Sequence, residues 1–186
     1  MGRIGSESSR MATLVEDLLT LARLDEGRPL EITDIDLVKL ADNAVFDLQA
    51  LDPTRTVGLT GITGRTPPMS LIVPGDRDRL SQVFTNLIGN IVRYTPSGSP
   101  VEIALGLSGD TAIVELRDHG PGIDETDRGR VFERFYRADT SRNRKSGGSG
   151  LGLAIVSGIL AAHRGRASLT KTKGGGLTVR IELPTA

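Results

Sequence analysis

Two stretches, DHGPGI at Asp118–Ile123 and GSGLGL at Gly148–Leu153, decide how this chain is read. Ahead of the first, TAIVELRD (Thr111 to Asp118) alternates apolar and polar residues as a half-buried strand does. The strand ends on a carboxylate, and Gly120, Pro121 and Gly122 follow almost at once. A carboxylate at a strand end accepts hydrogen bonds from a ligand amino group, and glycines beside it let that ligand approach the backbone. In the second stretch, Gly148, Gly150 and Gly152 precede the apolar run LAIVSGILAAH, which reads as a helix. A glycine-rich turn opening a helix aims free N–H groups and the positive dipole end at whatever sits there, and a phosphate fits. One half suits a base and the other suits phosphates.

The spacing excludes two commoner phosphate loops. Gly148-x-Gly150-x-Gly152 lacks the two residues that separate the last glycines of the dinucleotide fingerprint, and no Gly-x-x-x-x-Gly-Lys-Ser/Thr occurs. Either glycine run alone reads equally as an ordinary turn. Their order, with a basic segment between them, carries the nucleotide reading.

Composition narrows the rest. The 186 residues suffice for one domain and an appendage, and 23 basic residues balance 23 acidic ones. That balance implies no nucleic-acid partner and no general affinity for a membrane surface. With no cysteine there are neither disulfides nor thiolate metal sites, which fits a cytoplasmic setting. No apolar run is long enough for a membrane segment. Aromatics are only 3 % of the chain, so the core is expected to be Leu, Ile, Val and Ala.

Working outward, Ser6 to Leu24 repeats apolar residues at helical spacing, and Gly27 with Pro29 ends the run. Such a helix must pack on its own domain or on another helix, and the break after it favours a separate element. Glu16 and Asp17 fall on its polar face. Asp36 is a candidate N-cap for a helix over Leu37 to Leu51. Short strands are expected at Thr56 to Ile62 and Met69 to Val73, with Pro74-Gly75-Asp76 stopping the second. A long helix, Arg77 to Tyr94, follows, with Leu80, Val83, Phe84, Leu87, Ile88 and Ile91 on its buried face. Asn86 and Asn90, four apart, share one edge of it. Two readings fit: a solvated polar stripe, or amide oxygens offered to Mg²⁺, which prefers oxygen ligands. Arg93 would add a phosphate-reaching cation and Tyr94 a ring to cover a base.

Val101 to Leu107 and Ala112 to Leu116 form an expected hairpin. Next, VFERFYRADTSRNRKSGG sets Phe132, Phe135 and Tyr136 as an apolar anchor before Arg137, Arg142, Arg144 and Lys145. An anchored basic segment ahead of glycines reads as a lid over phosphates or as a solvated loop. Two last strands, Arg166 to Thr172 and Gly176 to Leu183, meet at three glycines.

The set NLIGN…RYTP, DHGPGI, FERFYR, GSGLGL and GGGLTVRIELP resembles, in the same order, the ATP-binding domain of bacterial two-component sensor histidine kinases, over roughly Ile35 to Pro184. SSRMATLVEDLLTLARLDEG resembles the second helix of that family's dimerisation hairpin. The resemblance implies an α/β fold: a two-layer α/β sandwich with a mixed sheet covered by three helices, plus the N-terminal helix. Residues 1–27 would then be a partial dimerisation helix, 28–35 a linker and 36–186 the ATP-binding kinase domain.

By the same resemblance Asn90 binds Mg²⁺, with Asn86 its partner, Arg93 contacts phosphate and Tyr94 flanks the base. Asp118 takes the adenine amino group, Gly120 and Gly122 give room, and Ile123 is a further nucleotide-binding residue. Arg137 reaches the terminal phosphates, Gly148, Gly150, Leu151 and Gly152 line them, and Thr178 completes the adenine pocket. Asn86, Asn90, Arg93 and Arg137 form the implied catalytic set, acting on ATP with Mg²⁺. Ile91-Val92 depart from the alanine usual after the asparagine, which bears on affinity rather than identity.

The larger departure is the missing phosphoacceptor histidine. The only two are His119, inside the adenine motif, and His163, expected as a helix C-terminal residue complementing the dipole. The implied function is a histidine protein kinase catalytic half. It would pass the γ-phosphoryl group of ATP to a histidine on a partner in trans, for relay to a response regulator. A start at Met1 before GRIGSESS favours a natural split kinase over a truncated one. The rival readings are a gyrase- or chaperone-type ATPase and a nucleotide-binding regulatory module without kinase activity. The ATPases carry a glutamate general base where this chain has Asn86, and an amide cannot take that proton near neutral pH.

Overall fold

The computed structural model describes residues 2–137 and 149–185, with side chains described from residue 11 onward. Five strands form one mixed sheet in the order β2-β4-β5-β7-β6. They are β2 (Val57–Gly61), β4 (Val101–Ser108), β5 (Thr111–Asp118), β6 (Arg166–Lys171) and β7 (Leu177–Pro184). β2 runs parallel to β4, and every other pairing is antiparallel. The parallel pair needs a crossover, and the long helix α3 (Arg77–Tyr94) lies within it.

One face of this sheet is apolar because each strand alternates. Val101, Ile103 and Leu105 of β4, Ala112, Val114 and Leu116 of β5, and Val179, Ile181 and Leu183 of β7 all enter the core. Three helices cover that face: α2 (Leu37–Leu51), α3 and α5 (Gly152–Ala162). α3 buries the six apolar residues its periodicity picks out, Leu80, Val83, Phe84, Leu87, Ile88 and Ile91. Its start is fixed by Asp76, whose carboxylate accepts from the Asp78 and Arg79 N–H groups, a cap worth about 1 kcal/mol. The layered sandwich is as expected, with Ile91 buried in its core and Val92 half-buried against it.

Several local expectations give way. A four-residue strand β1 (Thr33–Asp36) runs across the end of the stretch expected as linker, 28–35, pairing antiparallel with β3 (Ile72–Gly75). β3 starts later than the expected Met69 and carries Pro74 within it. The ribbon has only two strands, so a proline without an N–H is tolerated there. Asp36 ends β1 and caps α2 together, its Oδ1 accepting from the Val38 and Leu71 N–H groups. A single-turn helix, α4 (Glu125–Arg128), lies between the DHGPGI loop and the aromatic segment.

The N-terminal helix α1 (Gly2–Asp25) docks on its own domain along one stripe. Thr20 and Leu21 are buried, and Leu24 packs over Gly158 of α5. Gln82 Nε2 donates to Thr20 Oγ1 at 3.2 Å. A second stripe, Met11, Val15, Leu18 and Leu19, is exposed.

His163 closes α5, but not as a charge against the dipole. Its buried ring lies with Nδ1 2.8 Å from the Ile159 carbonyl, while Nε2 accepts the Asp76 N–H at 3.0 Å. A nitrogen that accepts carries no proton, so this is a neutral imidazole strapping the end of α5 to the start of α3.

Candidate nucleotide site

The site lies where β5, α3 and the start of α5 converge. Asp118 is the last residue of β5 and is buried, since its strand position faces the helices. Its Oδ1 accepts from the Gly120 N–H at 2.9 Å and from the Leu177 N–H at 3.1 Å. Two backbone donors hold one oxygen, and Oδ2 has no partner among the described residues. The carboxylate is therefore fixed in orientation with one acceptor left over.

The glycines around it are demanded by space. A Cβ on Gly120 would stand 2.7 Å from Thr95 Cγ2, and one on Gly122 would stand 3.1 Å from the Gly176 carbonyl oxygen. Gly176 has φ +105, and a Cβ there would fall onto the Asp118 carbonyl. The Gly174-Gly175-Gly176 turn thus slides beneath the DHGPGI loop, and that closeness lets Leu177 reach Asp118. Thr178 stands opposite Arg117 in the β5–β7 register, its hydroxyl bonded to Thr172 Oγ1 at 2.9 Å. The direct contribution of β7 to Asp118 is the Leu177 N–H. Ile123 is half-buried in the loop.

Across the site, Asn86 and Asn90 bring their amides to the start of α5. Asn86 Nδ2 donates to the Gln82 carbonyl at 3.0 Å, which turns its Oδ1 outward. From the position of a Gly152 Cβ, Asn86 Oδ1 would be 3.2 Å away and Asn90 Oδ1 3.8 Å away. Two neutral hard oxygens thus face the glycine that opens α5, where backbone N–H groups are unpaired. The half-buried Asn90 amide has no hydrogen bond among the described residues. This donor set fits Mg²⁺, which takes oxygen ligands and keeps water and phosphate in the rest of its shell. Arg93 is exposed and Tyr94 half-buried at the far end of α3.

The glycine-rich turn is clasped by the aromatic segment. The Phe135 N–H donates to the Gly150 carbonyl at 3.0 Å, and a Cβ on Gly150 would meet the Phe135 and Tyr136 backbone at 2.9 Å. Phe135 sits at φ 63 and is 61 % exposed, so it is no part of the expected apolar anchor. Val131 is the buried residue there, and Tyr136 holds the segment by polar means. The Tyr136 hydroxyl donates to Asp127 at 2.7 Å, with the Arg130 guanidinium 4.4 Å over its ring. Leu151 is fully buried beneath the turn, and Arg137 is exposed where the described chain stops. Gly148 and the lid cations Arg142, Arg144 and Lys145 lie outside the described residues.

Three residues at the site escaped sequence reasoning. Thr95 and Gly176 shape the end around Asp118, and only the glycine triplet signalled the second. Asp17 of α1, read as solvated, accepts a hydrogen bond from Ser149 Oγ at 3.2 Å. Burial pushes its pKa up, opposed by the Ser149 bond, raised again by Glu16 and opposed by Arg93. Nothing local in the sequence marks a contact spanning that much chain. His119 lies at the rim, its Nε2 3.9 Å from Glu102 Oε1.

The profile of the family described as "Histidine kinase-, DNA gyrase B-, and HSP90-like ATPase" matches residues 75–186. The chain is 43 % identical over 174 residues to the probable sensor histidine kinase TcrY of Mycobacterium tuberculosis, covering 94 % of this chain and 36 % of that protein. It is 39 % identical over 180 residues to the signal transduction histidine-protein kinase BaeS of Escherichia coli, covering 96 % and 38 %. It therefore spans well under half the length of these relatives. Among solved structures, full-length ShkA in complex with AMPPNP matches with TM-score 0.79 and 27 % identity, over 97 % of this chain and 37 % of that one. The mycobacterial sensor histidine kinase MprB matches with TM-score 0.69 and 26 % identity, over 82 % and 97 %.

Proposed function

Because the chain belongs to the histidine kinase-, DNA gyrase B- and HSP90-like ATPase family and its relatives are sensor histidine kinases, we propose that it binds Mg-ATP and transfers the γ-phosphoryl group to a histidine on a partner chain or a domain outside residues 1–186. The observation that carries this is the pairing of a fixed carboxylate bearing one free oxygen with two amide oxygens over the first residue of α5. Asp118 Oδ2 accepts from the adenine amino group, while Gly120, Gly122 and Ile123 leave room for the ring. Tyr94 flanks the base and Thr178 closes its rim. Gly150, Leu151 and Gly152 present backbone to the phosphates. That AMPPNP occupies the related ShkA supports an adenine nucleotide as ligand.

Phosphoryl transfer asks for positioning and charge neutralisation more than for covalent chemistry. The partner's imidazole nitrogen attacks the γ-phosphorus, the bond to the β–γ bridging oxygen breaks, and ADP leaves with that electron pair. Asn90, with Asn86 beside it, would hold Mg²⁺, which would supply charge neutralisation at the phosphates. Arg93 and Arg137 add positive charge at the same end. Asn86 offers no base to activate water, which favours transfer to histidine over hydrolysis. The phosphohistidine would then supply an aspartate on a response regulator. Among the described residues no helix is long and apolar enough to cross a membrane. We place this activity in the cytoplasm, with residues 1–27 as a partial dimerisation helix, 28–35 as its connection and 36–186 as the catalytic unit.

Calorimetry separates the two ends of the site. Asp118→Asn replaces a charge-assisted bond worth about 1.5–3 kcal/mol and should weaken ATP and ADP alike. Asn90→Ala should weaken Mg-ATP more than metal-free ATP. Equal losses in both variants, with and without Mg²⁺, would contradict the assignment.

A further inference from the structure

No Arg or Lys other than Arg55 is buried among the described residues, and its side chain is only 1 % exposed. It lies between α2 and β2, away from the expected phosphate contacts. Nη1 donates to Thr95 Oγ1 at 2.9 Å and to the Ser99 carbonyl at 2.8 Å. Nη2 donates to the Pro96 carbonyl at 3.2 Å and stands 3.3 Å from Asp52 Oδ2. Nε is buried with no partner. A buried ion pair with an orphaned donor is a poor stabiliser, since apolar residues of like volume often do as well. Asp52 does not depend on it either, because Thr54, Ser97 and the Gly98 N–H also bond its carboxylate.

What the fork does is tie down Thr95, Pro96 and Ser99, and Thr95 above all. Thr95 caps the C-terminus of α3 immediately after Tyr94. Its hydroxyl accepts from Arg55 and donates to the Ile91 carbonyl at 2.7 Å, which locks the side-chain rotamer. The locked methyl fills the space a Gly120 side chain would take, 2.7 Å from that Cβ position. Gly120 in turn donates its N–H to Asp118 Oδ1. Contact therefore runs unbroken from the buried guanidinium to the carboxylate.

We propose that Arg55 is a positioning residue for base selection, acting through Thr95 and Gly120 to hold the Asp118 carboxylate where it distinguishes a 6-amino from a 6-oxo purine. This rests on the reading of Asp118 as the base acceptor. A fixed carboxylate rewards the amino group, a donor, and repels a 6-carbonyl, an acceptor. One that can swing aside loses that contrast while the phosphate end is untouched.

The test measures Mg-complexes of ATP, inosine triphosphate and tripolyphosphate against wild type, Arg55→Met, Thr95→Val, the double variant and Asp118→Asn. Thr95→Val keeps the methyl packing and removes only the hydroxyl that Arg55 uses. It also carries the test should Arg55→Met fail to fold. Each single variant should cut the ATP preference over inosine triphosphate by about tenfold. Tripolyphosphate should change less than about twofold, and the double variant should be no worse than either single one. An unchanged preference in Arg55→Met or Thr95→Val, or losses that add, would overturn the inference. If wild type shows no preference at all, the reading of Asp118 falls, and this inference with it. A preference lost in Asp118→Asn but intact in the other variants sinks the Arg55 link alone.

Discussion

Asp118 and Asp52 show what a carboxylate gains from its neighbours. Asp52 is held by the Thr54 hydroxyl, the Gly98 N–H and the Ser97 hydroxyl, which push its pKa far below the usual carboxylate range. A group whose folded pKa is depressed favours folding above its unfolded pKa of about 4, and that contribution is lost as pH falls through the folded value. Asp52→Asn should therefore be less stable than wild type at pH 7, with the gap in thermal midpoint narrowing as pH drops below about 4. A gap that stayed constant down to pH 2.5 would contradict that origin. Gly176 makes the complementary case for absent atoms. Gly176→Ala would press a methyl onto the Asp118 carbonyl at φ +105, so it should cost about 3 kcal/mol in denaturant unfolding and abolish ATP binding. Of the site residues, Asp118, Asn86 and Asn90 were legible because motif spacing and helical period place them. Arg55, Thr95 and Asp17 were not, because their importance comes from contacts between segments far apart in the chain.

At the scale of elements, legibility followed periodicity. α3 was read to both ends because apolar residues at 3.6-residue spacing lie between an Asp cap and a Thr-Pro stop. β1 was missed because TDID offers one buried residue and no alternation, so only pairing with β3 makes it a strand. The first helix, expected as a separate element, packs in part on its own domain. The apolar surface of α1 is wide enough to divide, with Leu21 turned to its own domain and Met11, Val15, Leu18 and Leu19 outward. Past α5, Arg164 adopts φ 57 so that the Gly165 N–H can reach the Leu160 carbonyl. An arginine in this left-handed conformation is strained, so Arg164→Gly should raise stability by about 1 kcal/mol. A loss of stability on thermal unfolding would show that the arginine side chain makes contacts worth more than the strain.

For the whole molecule, the layered sandwich brings Gly120 and Gly152, distant in sequence, against α3 and its C-cap, with Gly176 packed on the Asp118 end of β5. The DHGPGI loop, the GSGLGL turn and the triple glycine each come close to a neighbour where a side chain would collide. That convergence makes a nucleotide site, and the histidines present are poorly placed to accept a phosphoryl group. His163 is buried, with hydrogen-bond partners at both ring nitrogens, and His119 sits in the DHGPGI loop beside Asp118. The most direct measurement is incubation of this chain with γ-labelled ATP and Mg²⁺, alone and with a histidine-bearing dimerisation domain of a related sensor kinase. The account predicts acid-labile, base-stable label on the partner's histidine, lost with Asn90→Ala, and none on this chain alone. Label retained on His119 or His163, or a partner left unlabelled by a chain that binds Mg-ATP, would contradict it.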